Sequence, residues 1–194
     1  MNQTTKLLMA AGLLLTAASA AAHTGHGAHA ESGFLSGLLH PMLGLDHLLA
    51  MAAIGFWSVR QSNTMKQITP LFVIGGMVLG AGIAWAGMCL PSVETGITFS
   101  VLVAGILIAT LAKLPTAVGG TLVGVFMLFH GFAHGTEMPA GATLAAYLAG
   151  FSMATLAITL VGRGLGSLLL RADSRFSRGI GGVLAVAGAY LAAA

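Results

Sequence analysis

Hydrophobic positions run in long unbroken blocks along this chain, separated by short polar clusters. Beyond residue 33 the blocks fall at about 34–59, 68–90, 95–112, 116–134, 141–161 and 178–193. Each is near the ~20 residues that a spanning helix needs. The pattern predicts an all-α, polytopic membrane helix bundle with about six transmembrane helices. The first block is long for one helix, and Pro41 suits a first helical turn. This predicts a short lead-in over 33–40 and a helix proper from Pro41. The last block is short.

Residues 1–22 follow a different pattern. Lys6 precedes an apolar run, Leu7 to Ala18, that is only 12 residues long and so too short to span. Ala18-Ser19-Ala20 and Ala20-Ala21-Ala22 then supply small residues for cleavage. Residues 1–22 therefore read as a signal peptide, with cleavage after Ala22 favoured. Cleavage after Ala20 would instead expose Ala-Ala-His, a terminus suited to square-planar Ni(II) or Cu(II); left uncleaved, the run would be a first helix. Residues 23–32 form a His-rich segment ahead of a transmembrane domain over 33–194. Its His23, His26 and His29 either collect a divalent cation or belong to a polar tail with incidental histidines.

Composition sharpens the class. The chain is 57% hydrophobic and 7% charged, with mean hydropathy +0.94, whereas a soluble domain carries about 25% charged residues. A net charge of +3 raises nucleic acid as a partner, but the cations are spread one or two per connection, which is a topology signal. Arg60, Lys66, Lys113, Arg163, Arg171, Arg175 and Arg178 follow the first, third and fifth blocks, while the alternate connections hold Glu94 and Glu137. The positive-inside rule puts the cations in the cytoplasm and the mature N-terminus outside. An even number of spans puts the C-terminus outside as well. The single Cys89 excludes an internal disulfide and reads as a packed thiol. Trp57 and Tyr190 read as interfacial anchors and Trp85 as packing. No Gly-rich loop ends in Lys-Ser/Thr, so the chain itself does not hydrolyse ATP by the P-loop route and implies no ATPase subunit. Glycines recur four apart at Gly76 and Gly80, Gly120 and Gly124, Gly131 and Gly135, and Gly162 and Gly166. Such pairs let helix backbones approach closely. No sequence repeat is evident.

Two clusters break the apolar pattern. His40-Pro41-Met42-Leu43-Gly44-Leu45-Asp46-His47 opens the first block and is followed by Met51. His130-Gly131-Phe132-Ala133-His134-Gly135-Thr136-Glu137 closes the fourth, with Met127 one turn deeper. All four histidines between residues 32 and 194 lie in these clusters. Ionisable groups inside a span are costly, at least ~2.5–3.5 kcal/mol for a charge, so they face a partner or a water-filled path. His47 and Met51 share a helix face, as do His130, His134 and Glu137. The topology brings both clusters to the outer face. Together they offer four imidazoles and the carboxylates Asp46 and Glu137, with the thioethers of Met51 and Met127 further in as accessory donors. Such a set suits Ni(II), Co(II), Zn(II) or Cu(II) rather than a hard cation. Asp46 either ligates an ion or orients His47. Gly44, Gly131 and Gly135 let backbone or ion come close.

Three alternatives compete. The histidines could satisfy one another structurally. An intramembrane metal-dependent enzyme is disfavoured, because Gly131 stands where zincins carry Glu and four histidines are too few for a diiron membrane site. A non-transporting metal-binding membrane protein stays open, though it needs no ligands leading into an apolar bundle.

The first cluster, with the preceding signal peptide and His-rich start, resembles the HupE/UreJ family of nickel/cobalt permeases. The second, Phe129 to Glu137, is similar to that family's other histidine motif. The likeness implies a secondary permease of a bacterial inner membrane that imports Ni(II) or Co(II) as substrate, with no cofactor and no catalytic role. It also implies that His40, Asp46, His47, His130, His134 and Glu137 form the metal site.

Overall fold

The computed structural model describes residues 33–193. The expected signal peptide and the His23, His26 and His29 segment lie outside the described residues. Within them the chain forms seven helices and no strand: α1 (Gly33–Leu43), α2 (Leu45–Ser58), α3 (Asn63–Trp85), α4 (Val93–Ala109), α5 (Thr116–Thr136), α6 (Leu144–Leu169) and α7 (Ser174–Ala193). By length and apolarity, α3, α5, α6 and α7 can each cross a membrane, and α1 with α2 makes a fifth candidate. The 17-residue α4 is apolar but shorter.

The first block is not one straight helix. α1 and α2 meet at Gly44 at an angle of 82°. Pro41 lies buried inside α1 rather than starting a helix, so the break falls three residues later than the proline suggested. Gly44 is extended, with φ −90° and ψ 114°, so left-handed freedom is not why a glycine stands here. A Cβ at Gly44 would meet Nδ1 of His47 at 3.0 Å and Oδ1 of Asp46 at 3.1 Å. The glycine makes room for that pair.

Glycines also set the packing. Gly37 and Gly150 bring α1 against α6, and Gly55, Gly162 and Gly166 do the same for α2 and α6. Gly76, Gly80, Gly131 and Gly135 join α3 to α5, and Gly105, Gly181 and Gly188 join α4 to α7. At most of these positions a Cβ would strike backbone of the facing helix, so the approach requires small residues. Gly131 and Gly135 thus let the backbones of α3 and α5 come close.

The register of these contacts gives direction. Residues of α3 and α5 pair in ascending order, as do those of α1–α2 and α6, whereas Gly181 faces Ala109 and Gly188 faces Leu102. The first two pairings are parallel and the third is antiparallel. Exchanging α1–α2, α3 and α4 with α5, α6 and α7 preserves this set of main pairings, with every direction reversed. That is the pattern of an inverted repeat, one that the residues themselves do not display.

A core around Met51, Ile54, Met77, Val123, Met127 and Phe151 fills the bundle. Its outside is as apolar as its inside: Leu71 is 72% exposed and Val186 71%. Large apolar side chains turned outward all round belong to a multi-pass membrane protein, in which lipid is the solvent. Tyr190 is exposed at the end of α7.

The end opposite the histidines is closed by hydrogen bonds. Trp57 is buried, not an interfacial anchor, and its Nε1 donates to the carbonyl of Ala112 at 3.1 Å. The buried Gln61 donates to the same carbonyl at 3.0 Å and accepts from the Leu114 amide at 3.0 Å. Pro70 has no N–H to offer the carbonyl of Lys66 four residues back, and Arg163 of α6 donates to that carbonyl at 3.1 Å. Arg163 thus sits inside a helix that runs on to Leu169, rather than in a loop. Cys89 is exposed, contrary to the packed thiol expected.

Candidate metal centre

Four helices deliver polar groups to one end of the bundle. His40 occupies the last turn of α1, and Asp46 and His47 the first turn of α2. His130 and His134 lie in the last two turns of α5, with Glu137 as its C-cap. Glu94 opens α4. A cleft of about 230 Å³ is lined by His40, Leu43, Gly44, Asp46, His47, Glu94, His134 and Glu137. Trp85, at the end of α3, donates its Nε1 to the carbonyl of Gly135 at 3.0 Å, which anchors the turn between His134 and Glu137.

The outermost contact is His40 Nε2 donating to Glu137 Oε2 at 2.6 Å. His134 joins this pair, and one ligand atom from each of His40, His134 and Glu137 lies within 4.8 Å of the others. Deeper in, Asp46 Oδ1 accepts from both the amide of His47, at 2.8 Å, and its Nδ1, at 2.9 Å. Of the two roles open to Asp46, the geometry therefore favours orienting His47. His130 Nδ1 donates to the carbonyl of Phe126 at 2.8 Å.

What remains is unusual for a buried region, where polar atoms are normally paired. His47 Nε2, His130 Nε2 and both ring nitrogens of His134 are buried with no hydrogen-bond partner among the described residues. Nearly all of this surface is gone: His130 is 0% exposed and His134 1%. A neutral imidazole carries one lone pair, and in such a place that lone pair is chemically able to bind a metal ion. Asp46 and Phe126 fix two of the rings by binding Nδ1, the arrangement that points Nε2 at an ion.

The four rings form a file. Centroids are 4.8 Å apart from His40 to His134, 4.8 Å from His134 to His47, and 4.8 Å from His47 to His130. Phe151 of α6 stacks on His134 at 5.4 Å and 16°, holding the second ring in place. The structure thus brings His40, Asp46, His47, His130, His134 and Glu137 to one place. Met51 and Met127 lie one turn deeper and are fully buried in the core.

Three neighbours were not visible beforehand. Glu94 had signalled only topology, and nothing in the order of residues shows that α4 opens on the cleft. Phe151 and Tyr147 share a face of α6 four residues apart; Tyr147 lies 6.1 Å from His40, and its hydroxyl has no partner among the described residues.

Comparison with known proteins decides the family. The profile described as HupE / UreJ protein matches residues 11–191. The chain belongs to the HupE/UreJ family. It is also 44% identical over 175 residues to Protein HupE of Rhizobium leguminosarum bv. viciae, covering 88% of this chain and 89% of that one. No solved structure matches this member of the family. The profile match runs through both histidine clusters and into the last helix.

Proposed function

We propose that this HupE/UreJ protein is a secondary permease that imports a divalent transition-metal ion, Ni(II) or Co(II), through the His/Asp/Glu cleft. The observation that carries this is the file of imidazoles with free buried nitrogens at one end of an apolar bundle. Imidazole with carboxylate suits Ni(II) and Co(II), and a structural role alone would have paired those nitrogens.

Orientation follows from charge. Arg60 donates to Ser177 at 3.1 Å, and Arg163 to the carbonyl of Lys66, so the cationic turns meet at the end away from the cleft. The positive-inside rule assigns that end to the cytoplasm and leaves the cleft facing the periplasm of a bacterial inner membrane. Counting α1–α2 as one passage and α4, about 25 Å long at 1.5 Å per residue, as another gives six spans over the 33–194 domain. A cleaved signal peptide over 1–22 and an external His-rich segment fit this topology. Among the described residues no carboxylate or imidazole lies within the helices below the cleft. The membrane potential, about 2.3 kcal/mol per charge per 100 mV, suffices to draw a divalent cation inward.

Radiometal uptake into proteoliposomes that contain only this protein tests the proposal. Accumulation of ⁶³Ni(II) or ⁵⁷Co(II) that grows with an inside-negative potential is expected. Binding without accumulation would reduce the protein to a metal-binding membrane component.

A further inference from the structure

We propose that the ion occupies two positions in succession, an outer one at His40, His134 and Glu137 and an inner one at His47 and His130, with His134 serving as the link. This rests on the transport reading above and deepens it. A single site would gather all four imidazoles around one point, whereas here they are strung out. His40 to His134, His134 to His47 and His47 to His130 are each 4.8 Å apart, and no other pair among the four comes into ring contact. Two imidazoles on one ion, at metal–nitrogen distances of about 2.1 Å, have centroids about 4.5–5.2 Å apart for bond angles near 90–110°. Each neighbouring pair thus has the ring spacing of two ligands on one ion, and the file as a whole spreads beyond it.

The two ends of the file differ in chemistry. The outer group includes the partly exposed His40 and the carboxylate of Glu137, whose side chain is 51% exposed, so an incoming hydrated ion keeps water ligands there. At the inner end both Nδ1 atoms are engaged, His47 with Asp46 and His130 with Phe126. Only Nε2 of each remains, buried and without a partner among the described residues. An ion that reaches this pair has shed most of its water. His134 has neither nitrogen committed among the described residues, and Phe151 holds its ring, so either tautomer is open to it. Its single lone pair serves one side at a time, and passing to the other side moves the ring proton to the nitrogen just vacated. Two divalent ions so close would repel strongly at low dielectric, so the positions fill in turn rather than together.

Separate positions predict separate kinetic defects. In cells, Glu137→Gln should raise the metal concentration for half-maximal uptake at least tenfold and leave the maximal rate within about threefold. His130→Gln should lower the maximal rate at least tenfold and leave the half-maximal concentration within about threefold. His47→Asn, which removes the other inner imidazole, should behave like His130→Gln. Co(II) titration of the purified proteins, followed by visible absorption, supplies a readout independent of transport. Wild type should bind one Co(II), and His130→Gln and His47→Asn should still bind one with affinity within about threefold. Loss of Co(II) binding in both inner variants, in protein that stays monodisperse in detergent, would mean a single shared site and overturn the proposal. So would kinetic defects of one kind in all three variants. If the wild-type protein neither binds Co(II) nor moves metal in proteoliposomes, the transport reading itself fails.

Discussion

The two ends of the bundle solve the problem of buried polar groups in opposite ways. At the cytoplasmic end of the proposed topology, Gln61 uses both its amide and its carbonyl, Trp57 finds the Ala112 carbonyl, and the carbonyl freed by Pro70 receives Arg163. Ser58 and Thr69 turn back onto their own helices. At the other end, four imidazole nitrogens are buried without partners among the described residues. Leaving such a group unpaired costs about 1–3 kcal/mol each. Under the proposed function, the nitrogens left open at this end are the capacity that the ion takes up.

The largest effect expected of breaking this contrast comes from the pair that aims the inner imidazole. Asp46→Asn keeps the size of the side chain and removes its charge, and His47→Gln removes the ring. Either should cut uptake about a hundredfold or more with normal amounts of protein in the membrane. Normal transport by both variants would make the cluster structural. Gly44→Ala acts on the same pair from the backbone side, since its Cβ would press on Nδ1 of His47 and Oδ1 of Asp46. About a tenfold loss of uptake is expected, again without loss of protein, and an unchanged rate would mean that the pair tolerates displacement.

Protons should compete with the ion, because only neutral imidazole binds a metal. Uptake at limiting metal should therefore fall as the external pH drops from 7 to 5.5. A steady rise over that range would instead indicate import coupled to protons. The smallest effect on the metal is expected at the closed end. Gln61→Ala strands the Leu114 amide and should lower stability by about 1–3 kcal/mol, read as a reduced melting temperature in detergent. Co(II) binding should stay within about twofold. A matching loss of binding would show that the two ends are not independent.

Much of this contrast was legible in the chain. The i, i+4 spacing of His130 and His134 put both on one face of a helix, and the alternation of cationic and acidic connections brought them to the same end as His40 and His47. That the first block divides was legible, but the place and sharpness of the bend at Gly44 were not. Gly44 has ordinary extended torsions, and the nearby Pro41 advertised a helix start that packing against α6 overrides. The convergence of Glu94, Tyr147 and Phe151 on the cleft was hidden because tertiary pairing, not local sequence, fixes which faces of α4 and α6 turn inward. Trp57 looked interfacial from its place near a span's end, yet the carbonyl of Ala112 gives its indole N–H a buried partner. The inverted pairing of helices escaped for a related reason: backbone contacts at glycines create it, and glycine pairs occur on nearly every helix.

Under the proposed function, the unpaired imidazoles hold the transported ion. X-ray absorption at the nickel edge, on purified protein carrying one Ni(II), tests it most directly. Two or three imidazole ligands with oxygen donors completing the sphere are expected, and the loss of one imidazole in His134→Ala. A sphere of oxygen donors alone, unchanged by that substitution, would contradict it.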